Sequence, residues 1–148
     1  ISTETGRLRR MRELNIGCNH LVGQLPGVIG NLTNLEILNV RGNLLTGRIP
    51  ESLSQLEFLE QLDLSRNLFS GSLPDDIGHL TLLDTIVLSD TRLTGGIPES
   101  YCASDRSNSL AIVSCKGDYT IDMECKCCSS IAVCADAIPT ALDGFTQP

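Results

Sequence analysis

The sequence has no tryptophan, and its two tyrosines and three phenylalanines make up only 3% of the chain. Apolar residues still reach 41%, so a core can form, but it has to be aliphatic, built from Leu, Ile and Val. No run approaches the roughly 20 continuous apolar residues that span a bilayer, which excludes membrane insertion by this segment. Positive charge is scarce: 11 Lys and Arg stand against 18 Asp and Glu, a net charge of −7. A phosphate-backbone partner needs a basic stripe, so nucleic acid is not expected. The one dense basic run, Arg7, Arg9, Arg10 and Arg12, is followed by acids and reads as a solvated face. Catalytic signatures are missing too. There is no G-x-S-x-G elbow and no Gly-rich phosphate loop after a strand. The two histidines, His20 and His79, are far apart, and Asp75 and Asp76 beside a proline turn read as solvated. No enzyme, cofactor or metal site is expected. The chain opens at Ile1 without Met or a visible secretion leader, and reads as a processed product or a fragment.

What the chain does have is a period. Written in blocks of 24 it falls into register without a gap, as MRELNIGCNHLVGQLPGVIGNLTN from Met11, LEILNVRGNLLTGRIPESLSQLEF from Leu35, LEQLDLSRNLFSGSLPDDIGHLTL from Leu59 and LDTIVLSDTRLTGGIPES from Leu83. One apolar column holds Leu14, Leu38, Leu62 and Ile86, and the next Ile16, Val40, Leu64 and Leu88. A glycine column holds Gly23, Gly47, Gly71 and Gly95, and a proline column Pro26, Pro50, Pro74 and Pro98. The opening residues fit as the back half of an earlier block, Ile1, Gly6 and Leu8 aligning with Leu25, Gly30 and Leu32. A solenoid end needs a polar cap over its core. None precedes Ile1, which reads as a cut through a longer array.

The columns have physical meanings. Apolar residues two apart, such as Leu38 and Val40, alternate with polar ones, the period of a half-buried strand. One strand per block, stacked, makes a parallel sheet. Gly-x-x-Pro then turns the chain, glycine admitting positive φ and proline withholding a ladder donor. Asn19, Asn43 and Asn67 sit where the chain leaves each strand, and a buried amide there can both donate and accept, forming a ladder between blocks. Thr91 replaces Asn in the last block and does this only in part.

These residues carry a resemblance. LxxLxLxxNxLxGxIPxxLGxLxx is similar to the plant-type extracellular leucine-rich repeat found in receptor-like kinase ectodomains and secreted hydrolase inhibitors. The dipeptides Leu25-Pro26, Ile49-Pro50, Leu73-Pro74 and Ile97-Pro98 mark that subclass. The resemblance implies an α/β class fold with little true helix: a right-handed solenoid with a concave parallel sheet and a convex side of short strands, turns and 3₁₀ segments. It spans residues 1–101, one partial and about four full units.

Repeat logic ends at Cys102, which takes the place of Gly30 and Gly78. Six of the seven cysteines lie between Cys102 and Cys134. Such clustering reads as a disulfide framework and an oxidising compartment, extracellular or at the cell surface. Residues 102–134 are expected to form a C-terminal cap, with Cys102, Cys115, Cys125, Cys127, Cys128 and Cys134 in disulfides. The competing reading is a metal site, but C-x-CC does not match zinc spacing and no histidine is near. Six cysteines allow 15 pairings, and sequence does not choose among them. SLAIVSC (residues 109–115) reads as one strand and YTIDMECKCC (residues 119–128) as another. The ending VSCKGD…MECKCCSSIAVC resembles the close of leucine-rich-repeat proteins of diatoms and related algae. Residues 135–148 have no periodicity and read as a tail or linker.

Binding candidates lie on the concave sheet, the face that curvature makes into an extended surface. Alternation places Arg12, Glu13 and Asn15 there, with Glu36, Asn39 and Arg41 from the second block. Glu60, Asp63 and Arg66 come from the third, and Asp84 and Asp90 from the fourth. Six acids against three arginines suit a basic or polyhydroxylated ligand, which makes a protein, peptide or glycan the expected partner. Four strands span roughly 15 Å, short of a standard protein interface. An ice- or carbohydrate-binding face would need ordered Thr or Asn rows, of which Asn15 and Asn39 supply half. The alternative function is inhibition of a cell-wall-degrading hydrolase, which the same repeat subclass supports. Asn31-Leu32-Thr33 is the only N-x-S/T sequon and lies away from the sheet, a candidate glycosylation site. Cys18, just before the ladder Asn19, reads as a tolerated small residue or as a free or intermolecularly paired thiol. The parent protein could be secreted or membrane-anchored.

Overall fold

The computed structural model describes residues 1–95, 98, 111–114 and 130–133, the last two stretches by their backbone alone. Each 24-residue block runs strand, turn, strand, 3₁₀ turn. The first strands are β1 (Glu13–Asn15), β3 (Ile37–Asn39), β5 (Gln61–Asp63) and β7 (Thr85–Val87). The second strands are β2 (Val22–Gln24), β4 (Leu44–Gly47), β6 (Leu68–Gly71) and β8 (Arg92–Leu93). The 3₁₀ turns are η1 (Thr3–Arg7), η2 (Gly27–Asn31), η3 (Glu51–Gln55) and η4 (Asp75–His79). Two further strands, β9 (Ala111–Ser114) and β10 (Ser130–Val133), lie beyond the repeats. The helical content of the described residues is entirely 3₁₀.

All pairing is parallel. One sheet has six strands in the order β1-β3-β5-β7-β9-β10, and the other has four, β2-β4-β6-β8. Within the repeats the partner is always 24 residues on, Leu14 facing Leu38, Leu38 facing Leu62, and Leu62 facing Ile86. Then Ile86 faces Ile112, 26 residues on, and Ile112 faces Ile131, 19 residues on. The large sheet is thus two strands longer than the repeat period alone provides. β9 falls inside the strand expected at 109–115, while the strand expected at 119–128 lies outside the described residues. So do the six cysteines of the expected cap.

The core is a stack of leucine columns. Leu35, Leu59 and Leu83 form one, Leu32, Leu56 and Leu80 another, and Ile29, Leu53 and Ile77 a third, all buried. A core composed only of aliphatic residues was expected, but Phe69 is fully buried in the column of Leu45 and Leu93. Fully burying one such side chain contributes about 1.5–3 kcal/mol, so the columns dominate stability.

Two columns of backbone make the tight circuit possible. Gly23, Gly47, Gly71 and Gly95 all have φ between 82° and 89°, a region where an L side chain is strained. Each is followed three residues later by proline. Pro26, Pro50 and Pro74 stand in extended conformation at the N-caps of η2, η3 and η4. Ser2 takes that place before η1 and accepts a hydrogen bond from the Glu4 N–H.

Candidate binding surface

The large sheet positions the candidate residues, because its strands put every second side chain on the core and the intervening ones on the opposite face. Arg12, Glu13, Asn15, Glu60, Arg66, Asp84 and Asp90 are exposed. Glu36, Ile37, Arg41, Gln61 and Thr85 are half-buried. Ile37, Gln61 and Thr85 share one column with Glu13.

Two of the expected face residues are not open. Asn39 is 3% exposed and Asp63 only 2%. Strict alternation predicts exposure here, but strands about 4.8 Å apart crowd this column between neighbouring side chains. Both carboxamide and carboxylate oxygens are engaged at the strand exits. Asn39 Oδ1 accepts from the Arg41 N–H at 3.0 Å. Asp63 Oδ1 accepts from the Ser65 N–H at 2.9 Å and from the Ser65 hydroxyl at 2.6 Å. Asn15 Oδ1 accepts from the Gly17 N–H at 3.3 Å. The column is a set of side-chain turns that bind the chain's own backbone.

Burial pushes the Asp63 carboxyl above the ordinary carboxylate range; the Ser65 hydrogen bonds and the charges of Arg41 and Arg66 pull it down without cancelling that rise.

The next turn carries the asparagine ladder. Asn43 Nδ2 donates to Ile16 O at 3.0 Å and Val40 O at 2.9 Å, and Asn43 Oδ1 accepts from the Leu21 N–H at 3.0 Å. Asn67 repeats the pattern one block on, with Val40 O at 2.9 Å and the Leu45 N–H at 3.1 Å. Each amide ties its own block to the preceding one. Asn19 donates only within its own turn, to Ile16 O and Gly17 O. Thr91 likewise reaches only Leu88 O of its own turn.

The residue just before the ladder is a feature that sequence reasoning missed. Cys18, Gly42, Arg66 and Asp90 all have φ between 52° and 65°, the left-handed region. Gly42 was the available signal, and the other three conceal it. This conformation sets Arg66 and Asp90 beside each other, Nε to Oδ2 at 3.6 Å. Cys18 is exposed and free.

Electrostatically the face divides. Arg12 holds Glu36 through both Nε and a terminal guanidinium nitrogen on one carboxylate oxygen. With Asp63 buried, Glu36 paired to Arg12 and Asp90 paired to Arg66, the acids left without an ion pair among the described residues are Glu13, Glu60 and Asp84. Glu36, Glu60 and Asp84 line the side where the chain enters the strands. Arg41 and Arg66 line the side where it leaves. His20 and His79 are both exposed. Among the described residues no group of three His, Cys, Asp or Glu could hold a metal ion, and no helix is long and apolar enough to cross a membrane.

Comparison with known proteins agrees with this geometry. The family profile described as leucine rich repeat matches residues 9–69. No curated protein matches the chain. Several solved structures do. The LRR ectodomain of the plant membrane receptor kinase GASSHO1/SCHENGEN3 from Arabidopsis thaliana, solved in complex with CASPARIAN STRIP INTEGRITY FACTOR 2, is 30% identical with a TM-score of 0.70, the match covering 78% of this chain and 14% of that one. The Arabidopsis receptor kinase HAESA, solved with the peptide hormone IDA and the co-receptor SERK1, is 28% identical with a TM-score of 0.65, covering 78% and 20%. A plant ice-binding protein is 29% identical with a TM-score of 0.67, covering 80% and 39%. The chain therefore spans 14% to 39% of the length of these three proteins. In architecture it is a leucine-rich-repeat solenoid, similar to the extracellular domains of plant receptors.

Proposed function

We propose that the chain is a non-catalytic binding module working outside the cell, whose concave sheet docks an extended basic segment of a peptide or protein. The observation that carries this is the division of charge across the face, with Glu60 and Asp84 exposed and unpaired along one side of it. Carboxylates there attract Lys or Arg side chains, and such charges set partner choice and on-rate. Size supports an extended ligand. Six strands cover five spacings, about 24 Å, the reach of about seven extended residues. The likeness to receptor ectodomains, one of them solved with a peptide hormone, supports the same reading. Asn15 and Asn39 do not offer a row of free amides, since the chain's own turns occupy both side-chain oxygens.

The test is a library of synthetic eight-residue peptides bound to the immobilised full chain, with binding followed by interferometry. Bound peptides are expected to be enriched in Lys and Arg, and the Glu60→Lys/Asp84→Lys double variant should lose them at least tenfold. A Glu51→Lys/Asp76→Lys variant, reversing charge in η3 and η4, should keep them. Absence of basic enrichment, or equal loss in both variants, would overturn the proposal.

A further inference from the structure

We propose that Asn31 is an N-glycosylation site whose glycan lies over the 3₁₀ side of the solenoid and leaves the concave sheet bare. The sequon alone is a weak signal; the structure adds a comparison among asparagines. Seven asparagines fall within residues 1–95. Six have their side chains engaged: Asn15, Asn39, Asn43 and Asn67 accept backbone N–H bonds, and Asn19 and Asn34 donate to backbone carbonyls. Asn31 alone of the seven is exposed with no side-chain hydrogen bond. It is also the one followed by Leu32-Thr33.

Local structure explains its availability. Asn31 closes η2, and Leu32 turns the chain back into the core, where it is fully buried. Asn31 and Thr33 therefore flank a buried leucine and both remain exposed. Gly6 of the preceding block leaves room for the amide. A Cβ placed there would come within 3.2 Å of Asn31 Nδ2. Beside the sequon lies a depression of about 590 Å³ lined by Thr33, Ser54, Gln55, Glu57, His79 and Thr81. Its polar groups can hydrogen-bond sugar hydroxyls.

The chemistry is a transfer from a lipid-diphosphate-linked oligosaccharide. Nδ2 of Asn31 attacks the anomeric carbon, the bond from that carbon to the phosphate oxygen breaks, and a C–N bond forms. Nδ2 gives up one proton, and the lipid diphosphate leaves. The Thr33 hydroxyl, two residues on, completes the acceptor triplet.

The inference rests on the extracellular reading above but can fail separately from it. The full chain is expressed behind a secretion leader in a eukaryotic host, and the product in the medium is weighed before and after peptide N-glycosidase. One core glycan should be lost, with Asn31 converted to Asp. Thr33→Ser should keep the glycan, while Thr33→Ala and Asn31→Gln should emerge without it. Secreted wild-type chain at its polypeptide mass would overturn the inference and leave the binding proposal standing. Enzymatic removal of the glycan should leave the affinity for a basic peptide unchanged within twofold. A larger change would show that the glycan does not clear the concave face.

Discussion

The first full block and the two behind it carry the same residue types in the same columns, yet they differ in what those residues contact. Leu14, Ile16 and Leu21 are half-buried, whereas Leu38, Leu62, Val40, Leu64 and Leu45 are fully buried. Asn19 is exposed and bonds within its own turn, whereas Asn43 and Asn67 are buried and bond to the preceding block as well. A block's sequence specifies its circuit, and the neighbours on either side supply the dry environment. Nearest-neighbour stacking is therefore the main source of stability in such an array. One residue type should then be worth very different amounts along one column.

The largest effect should come from the core. Leu62→Ala removes a side chain with no exposure and leaves a cavity between two blocks, so it should cost about 3–5 kcal/mol. Leu14→Ala, four residues into the first block, should cost only about 1 kcal/mol, since half of its surface already meets water. Urea unfolding followed by circular dichroism reads both. Equal losses would break the comparison, because burial by neighbours would then not decide the energetics.

The ladder sharpens it. Asn67→Ala strands buried carbonyls at Val40, Leu64 and Ser65 and the Leu45 N–H, and should cost about 2–4 kcal/mol. Asn19→Ala releases two carbonyls that water can reach, at a cost under about 1 kcal/mol. Asn67→Asp keeps an acceptor for the Leu45 N–H but turns an anion toward carbonyls, so it should be no milder than Asn67→Ala. If Asn67→Asp matched wild type, donation to the carbonyls would not be what the ladder contributes.

Most of the fold was legible because period 24 makes each column visible several times over. Gly23 and Gly47 announce their positive φ, and Leu32 and Leu56 their burial, by repetition. Legibility failed where repetition was absent or misleading. The left-handed column reads Cys18, Gly42, Arg66 and Asp90, four residues with nothing in common but their backbone. Asn39 and Asp63 alternate correctly for an exposed face, and only the proximity of the flanking strands closes over them. Beyond the repeats the sheet continues at offsets of 26 and 19, so Ile112 and Ile131 join the Leu14 column without any periodic signal. β9 could be anticipated from its β-branched residues alone. The division of charge on the face depends on which acids are paired or buried, and pairing is a matter of geometry rather than composition.

The smallest predicted effect concerns the one face residue whose chemistry its neighbours have changed. Asp63 occupies the column of Asn15 and Asn39, and burial raises its carboxyl above the ordinary range. Below about pH 3.9 the carboxyl is neutral in both folded and unfolded chains. As pH rises through the elevated folded-state value, the folded protein must hold a buried charge that the unfolded chain holds in water. Stability is lost across that rise. Asp63→Asn keeps the oxygen that receives the Ser65 N–H, as Asn39 does for Arg41, and removes the charge. The variant should melt about 1–3 °C above wild type at pH 7 and converge with it near pH 3. An Asn15→Asp change in the same column of the exposed first block should show no such pH-dependent penalty. If Asp63→Asn melted lower than wild type at pH 7, the Ser65 bonds and the charges of Arg41 and Arg66 would outweigh burial at Asp63, and the contrast between a column's open and closed positions would not extend to its ionisation.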